Sequence, residues 1–240
     1  MLAKVHACVL QGIDALACEV EVDHAEKMES QGRPAIVGLP DTAVKESLDR
    51  IRSALYNCGY GFPSGLLVIN LAPADLRKEG NALELPIALG LLLVNRVMKR
   101  GGGGGGGGAD RGGVDHKKYL VAGELALDGR VRPIKGALSM AMLAREQRKV
   151  GVIVPADNAA EAAVVPGIEV IGVGTLAEMV GFLNGDLGLL PFHLEESDID
   201  PATASNGKDF NEVRGQELGK RALTIAAAGR HNVLNYSSRG

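Results

Sequence analysis

The residues best placed to do chemistry form one charged loop, Arg77-Lys78-Glu79-Gly80-Asn81. An apolar run, Leu66-Leu67-Val68-Ile69, enters it and reads as a buried strand. Ala72-Pro73-Ala74-Asp75 ends that strand, because proline has no N–H to give to a ladder. From Leu83 the pattern turns helical and strongly apolar. A charged glycine loop between a buried strand and a buried helix costs desolvation unless it is solvated or used. Such a loop can be a plain surface turn. A second cationic group follows at Arg130, Arg132 and Lys135. If the two groups meet, they form a cluster that attracts phosphate without sequence specificity and loses affinity steeply with salt. Glu79, Glu84, Glu124 and Asp128 are the carboxylates that could pair them off instead.

Other constellations are missing. The sequence contains no H-E-x-x-H, no G-x-S-x-G and no C-x-x-C. His6, His24, His116, His193 and His231 are scattered without ligand spacing, so no metal site is expected. Cys8, Cys18 and Cys58 sit in apolar-patterned segments and read as buried, reduced thiols rather than a disulfide framework.

The 240 residues suffice for one large domain or two small ones. A hydrophobic fraction of 46% and a charged fraction of 23% are ordinary for a soluble globular chain. Aromatics at 3% and no Trp leave the core to Leu, Val, Ile and Ala. A net charge of −3 gives no global pull toward nucleic acid but permits a local basic patch. The N-terminus lacks the apolar stretch of a signal peptide, and the apolar run 85–94 is too short to span a bilayer. The expectation is a cytoplasmic protein with no membrane partner.

The elements that must position the charged loops follow from periodicity. Residues 5–10 and 16–22 read as a hairpin, with Cys18, Val20 and Val22 on one face and Glu19, Glu21 and Asp23 on the other. A third strand is expected over 35–39. Asp41 caps a helix to about Asn57 that buries Val44, Leu48, Ile51 and Leu55, and Gly59 stops it. The next strand covers 66–71 and the second helix 83–97. Strands 119–127 and 131–134 are joined by the Asp128-Gly129 turn. A helix over 137–148, then alternating strand and helix over 150–154, 159–164, 169–173 and 175–183, read as βαβ units behind a mixed or antiparallel first half. Gly101–Gly108 matches G-x-G-x-x-G as any glycine homopolymer does, without a strand feeding it, and reads as flexible linker, either a natural insert or an artificial replacement.

Four ordered blocks carry a resemblance. They are Val37-Gly38-Leu39-Pro40-Asp41-Thr42-Ala43-Val44-Lys45-Glu46-Ser47, the block 71–92, the block 123–138 (GELALDGRVRPIKGAL), and Asp209-Phe210-Asn211-Glu212-Val213-Arg214-Gly215-Gln216. Together they resemble the ComM/YifB family of magnesium-chelatase-like AAA+ ATPases, from about Val5 to Leu234. The resemblance implies an α+β, ribosomal-protein-S5 domain 2-like fold shared with the proteolytic domain of Lon. It divides the chain into that domain over 1–185 (glycine-rich loop 101–113), a linker over 186–208, and the start of an AAA+ module over 209–240.

The Lon likeness raises a peptidase. Lon uses a serine in one loop and a lysine base in a later segment. Here the nucleophile place falls on Asn81 or, with a one-residue gap, Ala82, and the lysine place on Leu138. An amide is no nucleophile, so the dyad is lost; Lys135 and Ser139 are the conceivable substitutes nearby. In the fourth block Phe210, Val213, Gly215 and Gln216 resemble the adenine side of an AAA+ pocket. The family continues into a Walker A loop, whereas this chain reads Asn235-Tyr236-Ser237-Ser238-Arg239-Gly240 and contains no G-x-x-x-x-G-K-[ST].

The reading is a non-catalytic N-terminal domain of a motor whose full-length family uses ATP and magnesium, forms hexamers and is implicated in DNA branch migration. Its expected role is assembly as a homo-oligomer or DNA engagement through Arg77, Lys78, Arg130, Arg132 and Lys135. The alternatives are a pseudo-peptidase that binds polypeptide, or an oligomerisation collar. The chain itself should use no cofactor. Calorimetric titration with magnesium and ATP should show no tight binding and no turnover; a micromolar isotherm would overturn this.

Overall fold

The computed structural model describes residues 1–25, 34–78, 80–98, 113–194, 213–229 and 233. The glycine run, Glu79, Phe210, His231 and the expected linker from residue 195 onward lie outside them. The chain divides into two compact units, residues 1–194 and 195–240.

Alternating burial builds the first layer. β1 (Leu2–Gln11) and β2 (Asp14–Ala25) form the expected hairpin, turning through Gly12 at φ 65°. Val5, Val9, Cys18, Val20 and Val22 enter the core, while Glu19 and Glu21 meet Lys4 at 2.8 and 2.6 Å on the other face. β4 (Leu66–Ala72) pairs antiparallel with β2, and the short β3 (Ala35–Val37) pairs parallel with β4. The order is β1-β2-β4-β3, so β1 lies at an edge.

Two helices cover this sheet. α1 (Thr42–Asn57) starts where Asp41 Oδ1 accepts the Val44 N–H at 2.7 Å, and it buries the expected Val44, Leu48, Ile51 and Leu55. α2 (Glu84–Val94) ends with the apolar run, three residues before the expected helix end at 97. It is buried nearly all round, as a helix without a polar face must be. Gly90 lets it approach the sheet: a Cβ there would lie 2.6 Å from Val22 Cγ2.

The single strand expected over 119–127 is two strands in different sheets. β5 (Tyr119–Val121) runs parallel to β8 (Gly151–Pro155), whereas β6 (Glu124–Leu125) pairs antiparallel with β7 (Val131–Arg132). Gly123 makes the break. Its N–H donates to the Ala82 carbonyl at 2.9 Å and its carbonyl accepts the Leu85 N–H at 3.0 Å. That backbone is consumed by the charged loop instead of a ladder. β5, β8 and β9 (Glu169–Val173) make a parallel sheet in the order β5-β8-β9.

α3 (Ala137–Glu146) and α4 (Ala159–Ala162) pack on one face of this parallel sheet, over Leu120, Val152, Val154 and Val170. On the other face Ile153, Ile171 and Val173 join α5 (Leu176–Leu183) in the main core. A parallel sheet covered on both faces is the form such sheets require. The architecture is α+β. Burial pushes the Cys8 thiol up to about 12 and the Cys18 thiol up to about 11, so both stay protonated and inert near neutral pH. Among the described residues, no helix is long and apolar enough to cross a membrane.

Gly38 sits at φ 95°, and a Cβ there would overlap the Leu71 carbonyl oxygen. Gly12 has positive φ but open space around it. Gly38→Ala should therefore lower stability by about 2–4 kcal/mol and Gly12→Ala by about 1 kcal/mol. Urea unfolding measures both, and equal shifts would contradict the packing at Gly38.

Candidate functional site: a cleft between two motif loops

The loop between β4 and α2 is held from the first motif. Asp41 caps α1 with Oδ1, and its Oδ2 accepts the Gly80 N–H at 3.2 Å. Lys78 N–H donates to the Leu39 carbonyl at 3.2 Å, and the Lys78 carbonyl accepts the Asp41 N–H at 3.1 Å. These bonds fix Gly80 and Asn81 at the mouth of a cleft.

The segment between β7 and α3 supplies the opposite wall. The Asn158 side chain accepts the Ile134 N–H at 2.9 Å and donates to the Ile134 carbonyl at 2.9 Å, standing in for a neighbouring strand. Between the walls lies a cleft of about 530 Å³. Asn81, Glu124 and Lys135 give it polar groups; Val9, Leu10, Leu83, Ile134 and Met140 give it an apolar lining. The two sequence blocks thus converge, as a shared site requires.

Asn81, one of the two positions expected for a nucleophile, is engaged at both ends. Its Oδ1 accepts from Arg50 Nη2 at 3.3 Å and its Nδ2 donates to Glu124 Oε2 at 3.1 Å. Arg50 also bonds Glu84 Oε1 through Nε at 2.9 Å and Nη2 at 2.5 Å, and Glu84 Oε2 accepts the Leu125 N–H at 2.7 Å. Burial pushes the Glu84 carboxyl above its ordinary range, and the Leu125 N–H and Arg50 pull it partly back. Leu138 is not among the lining residues. It is 38% exposed on α3, and its N–H donates to Glu161 Oε1 at 3.1 Å. Ser139 Oγ donates to the Ile13 carbonyl at 2.6 Å at the β1–β2 turn. Among its described lining residues the cleft presents no hydroxyl beside Lys135.

The cations separate. Lys78 is fully buried, with its Nζ donating to the Pro73 carbonyl, which corrects its placement in an exposed cationic cluster. The loop pattern could not show this, since a lysine between two charged residues reads as solvated. Arg77 is exposed, and it lines neither cleft described here. Arg130 and Arg132 open on a neighbouring cleft of about 410 Å³ that Pro133 also lines. They are ion-paired with Asp128 at 2.8 Å and Glu124 at 3.6 Å. Lys135 lines the apolar cleft instead. Arg50 and Asn158, absent from the sequence candidates, position the site. Neither lies in a motif that signals a role.

A family model described as subunit ChlI of Mg-chelatase matches residues 20–158, and one described as magnesium chelatase, subunit ChlI, matches residues 209–240. The competence protein ComM of Haemophilus influenzae is 38% identical over 238 residues, covering 97% of this chain and 43% of that protein. The chain belongs to the ComM/YifB family of magnesium-chelatase-like proteins. YifB of Escherichia coli, itself uncharacterized, is 38% identical over 236 residues, covering 97% of this chain and 42% of its own length. An uncharacterized protein of Mycobacterium tuberculosis is 35% identical over 235 residues, covering 97% and 42%. The chain therefore spans about two fifths of the length of these relatives.

In the second unit Val213 is exposed, and Gly215 and Gln216 take φ of 72° and 58° before α6 (Glu217–Gly229). On α6 Ala226 is buried while Leu218 and Ile225 are exposed. Lys220 pairs with Glu217 at 3.6 Å and the Thr224 hydroxyl donates to the Lys220 carbonyl at 2.9 Å. These described residues do not fit the phosphates of ATP, which need a lysine and a hydroxyl presented together.

A carboxyl whose folded pKa is raised lowers stability as pH rises from its unfolded value of 4.5 through the folded value. Glu84→Gln should remove that component, so the variant gains on the parent across this window as pH increases. Urea midpoints between pH 4.5 and 7 measure it; a constant difference would show that Glu84 titrates normally.

Proposed function

We propose that residues 1–194 are the non-catalytic N-terminal module of a magnesium-chelatase-like AAA+ ATPase, built on a ribosomal-protein-S5 domain 2-like fold. The parent is a cytoplasmic hexamer that uses ATP and magnesium and migrates DNA branches, and this module serves its assembly or its grip on DNA. What supports a non-catalytic role is the residue type at the two positions where the Lon resemblance puts a nucleophile: Asn81 is an amide bonded to Arg50 and Glu124, and Ala82 carries no reactive group. One relative carries the name competence protein, and the role in competence comes to this chain only as part of this reading.

On the DNA reading, phosphate meets Arg130 and Arg132 at their shared cleft, with Arg77 as a further exposed cation. Phosphate has to displace Asp128 and Glu124 from these guanidiniums, and Asp157 lines the same cleft. Binding is then weak and strongly salt-dependent. A second reading, a pseudo-peptidase that holds polypeptide without cutting it, is favoured by the apolar lining around Lys135.

Fluorescence anisotropy with single-stranded, duplex and forked DNA tests the first reading. Binding should fall about tenfold in Arg130→Ala/Arg132→Ala, with a shallower salt slope, and should be unchanged in Lys135→Ala. Absence of binding at low salt would leave assembly as the role of this module. A serine-directed fluorophosphonate should leave the protein unlabelled; labelling within the cleft would restore a peptidase.

A further inference from the structure

We infer that the apolar cleft takes an extended segment of polypeptide that adds as a strand to the free edge of β1 at Leu10. This rests on the polypeptide-binding reading and specifies its mode. β1 is the outermost strand of its sheet. The His24 N–H donates to the Met1 carbonyl at 2.9 Å, and the register pairs Leu2 with Asp23 through to Gln11 with Asp14. In an antiparallel ladder this makes the odd residues of β1 exchange bonds with β2 and turns the N–H and C=O of even residues to the outer edge. Lys4 obeys the rule: its carbonyl meets the His116 ring nitrogen at 3.1 Å on that edge. The upstream end of the edge is thus occupied. Leu10, at the downstream end, has no backbone partner on its outer side among the described residues, and it lines the cleft.

β5 and the segment 116–118 pack along the rest of β1, so the template for another strand is confined to the outward N–H and C=O of Leu10. The opposite wall does not compete for it, because Asn158 already satisfies both backbone groups of Ile134. Leu83, Ile134 and Met140 offer apolar contact to alternate side chains of the added segment. Lys135 is exposed and has no ion-pair partner among the described residues, so an acidic side chain of the segment suits the rim. Nucleic acid suits it poorly, since Glu124 and the apolar lining face the same space. The occupant is therefore an extended peptide with alternating apolar residues and one carboxylate.

The probe is a fluorescein-labelled peptide, Ser-Glu-Val-Thr-Val-Thr-Val-Ser, titrated into the full chain by anisotropy and by amide NMR. Binding should shift the amides of Leu10, Asn81 and Lys135, and should slow hydrogen exchange at Leu10. N-methylation of alternate valines should weaken binding about tenfold. Leu10→Pro removes the outward N–H but no β1–β2 bond and should match that loss, with Lys135→Ala weaker by a smaller factor. Peptide that shifts the cleft but ignores N-methylation and Leu10→Pro overturns the strand pairing and keeps a polypeptide cleft. No shift with millimolar peptide, or the same amides shifted by duplex DNA alone, overturns both.

Discussion

Glu84 is the constraint around which the site is arranged. It is a carboxylate at the start of a helix buried almost all round, and a charge in that position is tolerated only with partners. Arg50 comes from α1, the Leu125 N–H from β6, and Glu84 itself from α2. Satisfying one buried group therefore brings three elements, distant in sequence, to a single point. The Gly123 bonds to Ala82 and Leu85 hold β6 against the same loop. Removing the constraint would loosen the helix start and the loop before it together.

Asn81 stands on that frame and inherits its rigidity. One end of its amide bonds the guanidinium that neutralises Glu84, and the other bonds Glu124, which in turn pairs with Arg132. A chain of charges and hydrogen bonds runs from the buried carboxylate to the exposed arginines. A ligand at Arg132 competes for Glu124, and a ligand in the apolar cleft lies against Asn81. The two neighbouring clefts are linked through one carboxylate, although their linings favour different chemistry.

Lys78 shows why charge counts mislead here. Its backbone forms a bridge with Pro40, and its Nζ is spent on the Pro73 carbonyl, so it ties the first motif to the loop. Arg130 and Arg132 remain at the surface beside carboxylates of their own hairpin. What reads along the chain as one basic cluster resolves into a buried structural lysine, two paired arginines, an exposed Arg77 and a lysine at an apolar rim.

The sequence by itself determined the local elements, because they rest on near-neighbour physics. The alternation of Cys18, Val20 and Val22 with Glu19 and Glu21 set the β2 faces, Asp41 set the start of α1, and Asp128-Gly129 set a hairpin. Four ordered motif blocks were enough to indicate the family, and the absence of a hydroxyl at Asn81 and Ala82 was legible as residue type. Only the tertiary structure decided where the strand 119–127 divides, since Gly123 bends to satisfy a loop forty residues away in sequence. It also decided that Lys78 is buried, that Arg50 and Asn158 hold the site, and that Val9 and Leu10 of β1 line the cleft. Those facts depend on which long-range partners meet each polar group. A buried charge or backbone amide is satisfied by whatever the fold brings to it, and local pattern carries no record of that partner.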